Sequence, residues 1–348
     1  MQRDVYYDNL RFVLIAFVVV GHFALAYLHG ASSKPVSIFK DWIWVFHMPA
    51  FLFVSGMFAK GLYKPDRGLR VDAICFYLVM YLLFSCVIQA VMMTYSNAEF
   101  DLFHIYRIPW YFLALAMLGA TLPIAANVRG GAKVVVPVAV LFAIIADSND
   151  GFGSFLSLGR IVNFAPFYLA GYFMTTEDFK HIVQKIQAKG LYIVLDIAFL
   201  VAVFAALWFM PPVYSEAVFK LSMAYTPYSG FAELPLPEVV VLRSLWFVLA
   251  AAMLVAVSAL VPMRRVFFSE MGQRTLQVYL LHPLVYLPMT GFQVIPRYVA
   301  PYVPCAGLAS ILFGFALTFL LAWPEFPARW LKRFQRSFRF VSKVGKDK

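Results

Sequence analysis

The chain has 348 residues, of which 62% are hydrophobic and 14% charged, with mean hydropathy +0.77, a net charge of +11 and a pI near 9.5. Soluble domains are about half apolar and a quarter charged, so this composition excludes a soluble enzyme and indicates one all-α, polytopic membrane domain. The basic residues are spread over short loops and the C-terminal stretch, a pattern of membrane topology that argues against a nucleic-acid partner.

Windows of about 20 apolar residues, enough to cross about 30 Å of hydrocarbon, fall at 9–28, 41–60, 71–94, 110–126, 133–147, 160–174, 191–210, 243–262, 275–290 and 303–323. Several are short, so broken or re-entrant helices belong to the expectation. The first window is followed by Ala24-Leu25-Ala26, which has the form of a signal-peptidase site. Asp4, Asp8 and Arg11 give it a mixed-sign start and many further windows follow, so it reads as an uncleaved first span.

With the N-terminus inside, the even-numbered connections collect Lys60, Lys64, Arg67 and Arg70, then Arg129 and Lys133, then Lys180, Lys185 and Lys189, and finally Arg264, Arg265 and Arg274. The basic stretch from Arg329 to Lys348 falls on the same side. Lys34, Lys40, Arg107, Lys220 and Arg297 are scattered on the other. This asymmetry predicts about ten transmembrane helices with both termini cytoplasmic. Between 211 and 242 lies a Pro- and Tyr-rich outer connection, read as a loop that is either a lid or a plain connector. The segment Glu177 to Lys189 has the pattern of a short amphipathic helix on the membrane surface. Cys75, Cys86 and Cys305 sit in or beside apolar windows with no C-x-x-C, as packing residues do.

Three apolar windows carry polar groups that packing does not explain. The first, within YYDNLRFVLIAFVVVGH at 6–22, holds Arg11 and His22. Eleven helical steps of about 100° return to within about 20° of the same azimuth and rise about 16 Å, so the two share a face half a bilayer apart. Groups of this kind inside a membrane usually face a protein interior and mark a pathway or reaction site. A snorkelling Arg with a carbonyl-bonded His is the alternative. Asp8, three residues before Arg11, is at helical pairing distance.

The second window, WIWVFHMPAFLFVSGMF, carries His47 and Pro49, the proline freeing a backbone carbonyl. His22 and His47 each lie about six residues, or about 9 Å, from the outer ends of their spans, at one depth. TLQVYLLHPLVYLP repeats the His-Pro pair with His282 and Pro283. Without an acidic or Cys ligand at that depth and without H-E-x-x-H, the histidines suit a general base or proton relay better than a metal. No metal is expected. Trp110 in WYFLAL and Arg160 with Asn163 in RIVNFAPFYLAGY stand at outer mouths. Trp110 is either a belt aromatic or a ligand contact, and Arg160 is either an anchor or a holder of an anionic or sugar ligand.

Asp8-Asn9-Leu10-Arg11, the Arg-x10-His spacing to His22, FHMPAFLFVSGMF at 46–58 and YLLHP at 279–283 together resemble the acyltransferase 3 family, most closely its fucose 4-O-acetylase-like branch. The resemblance implies an acyltransferase 3-like membrane domain over 1–326 and a basic cytoplasmic tail over 327–348, in a bacterial inner membrane. It implies acetyl-CoA as donor substrate and a carbohydrate or lipid-linked glycan (exopolysaccharide, O-antigen or similar) as acceptor, with membrane lipids as the remaining partners. Arg11 and His22 become the family's essential pair and His47 its second-helix histidine.

In this expectation Arg11, with Asp8, serves the CoA end through charge-assisted contacts to phosphate. His22 takes the acceptor proton, and His47 orients it or stabilises the oxyanion. An acyl-histidine intermediate is the rival route. His282, Trp110, Arg160 and Asn163 are the expected acceptor contacts, and Arg11 and His22 are expected to line one passage. The functional alternative is a proton-coupled transporter using the same intramembrane groups, although the repeated halves common in such proteins are not visible here.

Overall fold

The computed structural model describes residues 4–97, 99–104 and 108–338. Arg107 and the tail beyond residue 338, both counted among the predicted loop charges, lie outside the described residues. The described chain is helical almost throughout. In order come α1 (Val5–Leu28), α2 (Lys34–Phe58), α3 (Val71–Met93), α4 (Trp110–Asn127), α5 (Ala132–Ala146), α6 (Leu158–Phe173) and α7 (Thr176–Gln187). They are followed by α8 (Gly190–Phe209), α9 (Pro212–Met223), α10 (Leu236–Ala259), α11 (Thr275–Gly291), α12 (Ala306–Ala322) and α13 (Phe326–Ser337). Two short strands, β1 (Tyr63–Lys64) and β2 (Gly68–Leu69), pair antiparallel between α2 and α3.

Each of the ten predicted windows coincides with one helix. Among the described residues six helices are long and apolar enough to cross a membrane: α1, α2 with the turn after it, α3, α4, α8 and α10. A seventh crossing is made if α12 and α13, bent by 61°, are taken as one broken span. The helices α5, α6 and α11, with 15, 16 and 17 residues, rise only about 22–26 Å. Prolines interrupt all three, at Pro137, Pro166, Pro283 and Pro288.

The arrangement is concentric. α1 and α2 are 67% and 72% buried over their most apolar windows, whereas α8 is 17% buried, so the first two form the centre and α8 the rim. Two glycines set the contact between α2 and α6. A Cβ on Gly56 would land on the carbonyl of Tyr168, and one on Gly171 on the carbonyl of Phe53, so each backbone rests on the other's missing side chain.

We call the face where α1 begins the near face and the opposite one the far face. The basic connections gather at the near face around the start of α1. Asp4 accepts from Lys180 at 2.6 Å, and Asn9 donates to the carbonyls of Pro262 and Arg264 at 2.8 and 2.9 Å. α7 is the expected amphipathic helix, with Phe179 and Val183 turned inward. Much of the predicted outer loop over 211–242 is instead helical, as α9 and the first turns of α10. Its prolines do not break these helices, because they occupy the first helical turns, where a missing N–H leaves no bond unmade.

Candidate active site

α1 presents Arg11, Ile15, Val18, His22, Leu25 and His29 at steps of four, three, four, three and four residues, which is one face of a helix. The first three line a near-face cavity of ≈ 580 Å³, and the last four a far-face cavity of ≈ 260 Å³. Val18 belongs to both walls, as do Met48 of α2 and Tyr279 of α11. The passage expected between Arg11 and His22 is lined as two cavities end to end, and we call the three side chains that stand in both walls the septum. The Tyr279 hydroxyl donates to the carbonyl of Ile108, which ties that ring to the segment before α4.

In the near-face cavity two guanidinium groups, Arg11 and Arg70, stand among aromatic and aliphatic walls such as Phe51, Phe76 and Tyr111. Arg11 lies 4.1 Å over the Phe58 ring and 3.7 Å from the Asp8 carboxylate. Asp8 is buried, faces Gln273 at 3.5 Å and does not line the cavity, so its charge bears on Arg11 rather than on a ligand. Arg70, read in the sequence as one loop cation among several, donates to Asp72 at 2.8 Å as it enters the wall. Gln335 of α13 also reaches this cavity, and Phe334 and Phe338 pack on Phe76. The basic tail thus begins at the wall of the near-face cavity.

The three membrane histidines repeat one local geometry. His22 Nδ1 lies 2.7 Å from the Val18 carbonyl, His47 Nδ1 3.0 Å from that of Ile43, and His282 Nδ1 2.9 Å from that of Val278. A carbonyl oxygen only accepts, so Nδ1 carries the proton and the basic lone pair of each neutral ring is on Nε2. His22 and His47 line the same far-face cavity, with the Trp44 ring between them at 5.8 and 5.6 Å. The ring that touches His22 is His282, at 5.2 Å, together with Tyr286 at 4.9 Å. His282 is fully buried and lines neither cavity, and among the described residues its Nε2 has no hydrogen-bond partner. It stands behind His22 rather than at the wall of either cavity.

Trp110 and Arg160 both reach the far-face cavity. Arg160 is held between the rings of Tyr225 at 4.6 Å and Trp110 at 5.4 Å, and its Nε donates to the Met223 carbonyl at 3.1 Å. Asn163 is not brought there. Its amide donates to Asp147 at 2.8 Å and to the Gly159 carbonyl at 2.9 Å, inside a buried network. Arg243 pairs with Asp147 and donates to the Leu221 carbonyl at 2.9 Å, while the Tyr228 N–H donates to the Asp147 carbonyl at 2.8 Å. This clamp ties α5, α6 and α10 to α9, whose C-terminal end supplies Ser222, Met223 and Tyr225 as the cover of the far-face cavity. Sequence reasoning missed it because lone charges at span ends look like interfacial anchors. Lys40 and Asp41 are a second such case, a buried pair at 2.7 Å beside Phe219 rather than a solvated outer charge.

The sequence profile of the acyltransferase domain, Acyl_transf_3, matches residues 4–324. The chain belongs to the acyltransferase 3 family. No curated protein and no solved structure matches it. As a multi-pass membrane acyltransferase 3 protein it requires a place for an acyl donor and a place for an acceptor. The two cavities on the Arg11–His22 face of α1 are the candidates, and the histidine with its basic nitrogen on Nε2 lies just beyond the septum.

Proposed function

We propose that this acyltransferase is an O-acetyltransferase of the fucose 4-O-acetylase-like branch, moving an acetyl group from cytoplasmic acetyl-CoA to a hydroxyl of an extracytoplasmic glycan. The observation that carries the reading is the shared septum. A thioester entering from the near face and a hydroxyl entering from the far face meet at Val18, Met48 and Tyr279, one helical turn from His22. The basic near face is the cytoplasmic one by the distribution of Lys and Arg. The protein then sits in a bacterial inner membrane with about ten crossings, α5, α6, α11 and α12 being the short ones.

Arg11 and Arg70 hold the CoA phosphates by charge-assisted hydrogen bonds, and the apolar walls beyond them take the pantetheine arm. At the septum His22 Nε2 accepts the proton of the acceptor hydroxyl as its oxygen attacks the thioester carbonyl. The tetrahedral intermediate collapses with loss of the CoA thiolate, which recovers the proton from the imidazolium. The products are an O-acetyl ester and CoA-SH. His47 and Trp44 shape the wall facing His22, and His282 holds its ring from behind. Asp8 orients Arg11, and Trp110 and Arg160 face the acceptor.

Membranes containing the protein, given acetyl-CoA and its glycan, release CoA and form ester together. His22→Ala at equal protein level lowers that rate by about 10²–10⁴-fold, the contribution of a positioned base. Transfer that survives at full rate removes His22 from the mechanism. Accumulation of a substrate driven only by a proton gradient, with no CoA released, makes the protein a transporter instead.

A further inference from the structure

The far-face cavity has an electrostatic character that the acyl transfer itself does not require. Its described lining includes one guanidinium, Arg160, and three histidines, His22, His29 and His47, and no aspartate or glutamate. Two buried carboxylates on elements beside the cavity have partners of their own, Asp147 with Arg243 and Asn163, and Asp41 with Lys40. Arg160 is only 5% exposed, and it is fixed in place by two aromatic faces and by the carbonyl that accepts from Nε. A guanidinium fixed at the wall of a cavity of this size sets a positive potential there, and the low-dielectric walls around it strengthen its attraction for an anion. Trp44, Trp110 and Tyr225 add flat apolar surfaces of the sort against which a sugar ring stacks.

We infer that the far-face cavity is built for an acidic acceptor, a sugar bearing a carboxylate or phosphate that Arg160 binds while the neighbouring hydroxyl is presented to His22. The inference rests on the acyltransferase reading above and names the class of its acceptor. The anion belongs to the acceptor and not to the acyl group, because Arg160 and its aromatic partners Trp110 and Tyr225 line only the far-face cavity, beyond the septum at which the donor cavity ends.

The test begins with the extracytoplasmic glycan of cells with and without the protein, depolymerised, separated by charge and weighed by mass spectrometry. The expected result is an acetyl increment that depends on the protein and sits on an acidic sugar. Fragments of that glycan are then used as acceptors with purified protein in proteoliposomes. Arg160→Gln is expected to raise the acceptor KM at least about tenfold, the weight of one charge-assisted contact. The acetyl-CoA KM should hold, and Arg160→Lys should recover part of the loss.

An increment on a neutral sugar overturns the inference and leaves the acyltransferase reading standing. An increment that carries its own carboxylate moves the charge to the donor and overturns it as well. A failure of Arg160→Gln and Arg160→Lys alike, with both KM values unchanged in the surviving protein, reduces Arg160 to an anchor for the cover and also overturns it. No increment at all overturns the acyltransferase reading and this inference with it.

Discussion

At the scale of single residues, the position of Tyr279 makes the sharpest prediction. Its ring is part of both cavity walls and contacts Tyr111 at 5.4 Å, and its hydroxyl is tied to Ile108. Tyr279→Ala widens the place where the two cavities meet and admits water to the thioester, so CoA release without acceptor rises while transfer to glycan falls. Tyr279→Phe keeps the wall and loses only the hydrogen bond, so it shows less of both effects. Measuring CoA release with and without glycan separates the two variants. A Tyr279→Ala protein with unchanged acceptor-free release would mean that Tyr279 does not keep water from the thioester.

Arg11 and His22 were legible in the sequence because eleven residues close on the same helical azimuth, a property of one helix alone. The same arithmetic on its own helix set His47 level with His22, and the two line one cavity. What local arithmetic cannot supply is the neighbour. His282 was expected before a ligand and packs behind His22, and Asn163 was expected at the acceptor and bonds to Asp147. Both outcomes depend on helices far away in sequence, as does the pairing of Asp147 with Arg243. Arg243→Ala leaves the Asp147 charge buried without that partner, a loss of about 3–5 kcal/mol. It is expected to appear as reduced thermal stability in detergent, before any effect on chemistry; a full-stability variant would show that the clamp is dispensable.

At the scale of elements, the crossing of α2 and α6 decides where His47 and Arg160 stand relative to one another. Gly171→Ala pushes a methyl group into the Phe53 carbonyl, and overpacking of this kind destabilises by about 1–3 kcal/mol. The expected sign is a lowered unfolding temperature, with activity per folded molecule falling as α6 shifts. An alanine accepted with no change in either would contradict the close approach. The ten apolar windows were legible as helices because hydropathy is a local property. The helical character of α9 was hidden because its segment is rich in proline and reads as a loop, whereas proline at the first turn starts a helix. α10 begins seven residues before its predicted window for the same reason.

At the scale of the whole molecule, the chain is a membrane acyltransferase with two cavities stacked along its most buried helices. Composition alone identified the membrane, and the motif spacing identified the family. The division of one passage into two chambers was not legible, since it depends on Met48 and Tyr279 arriving from two other helices to meet Val18. The central claim is that acyl groups are taken up at the near face and delivered at the far face. Sealed inside-out vesicles enclosing the glycan, supplied externally with acetyl-labelled acetyl-CoA, test it most directly. The account predicts label esterified to the enclosed glycan. Label found only on glycan added outside, on the same side as the donor, would contradict it.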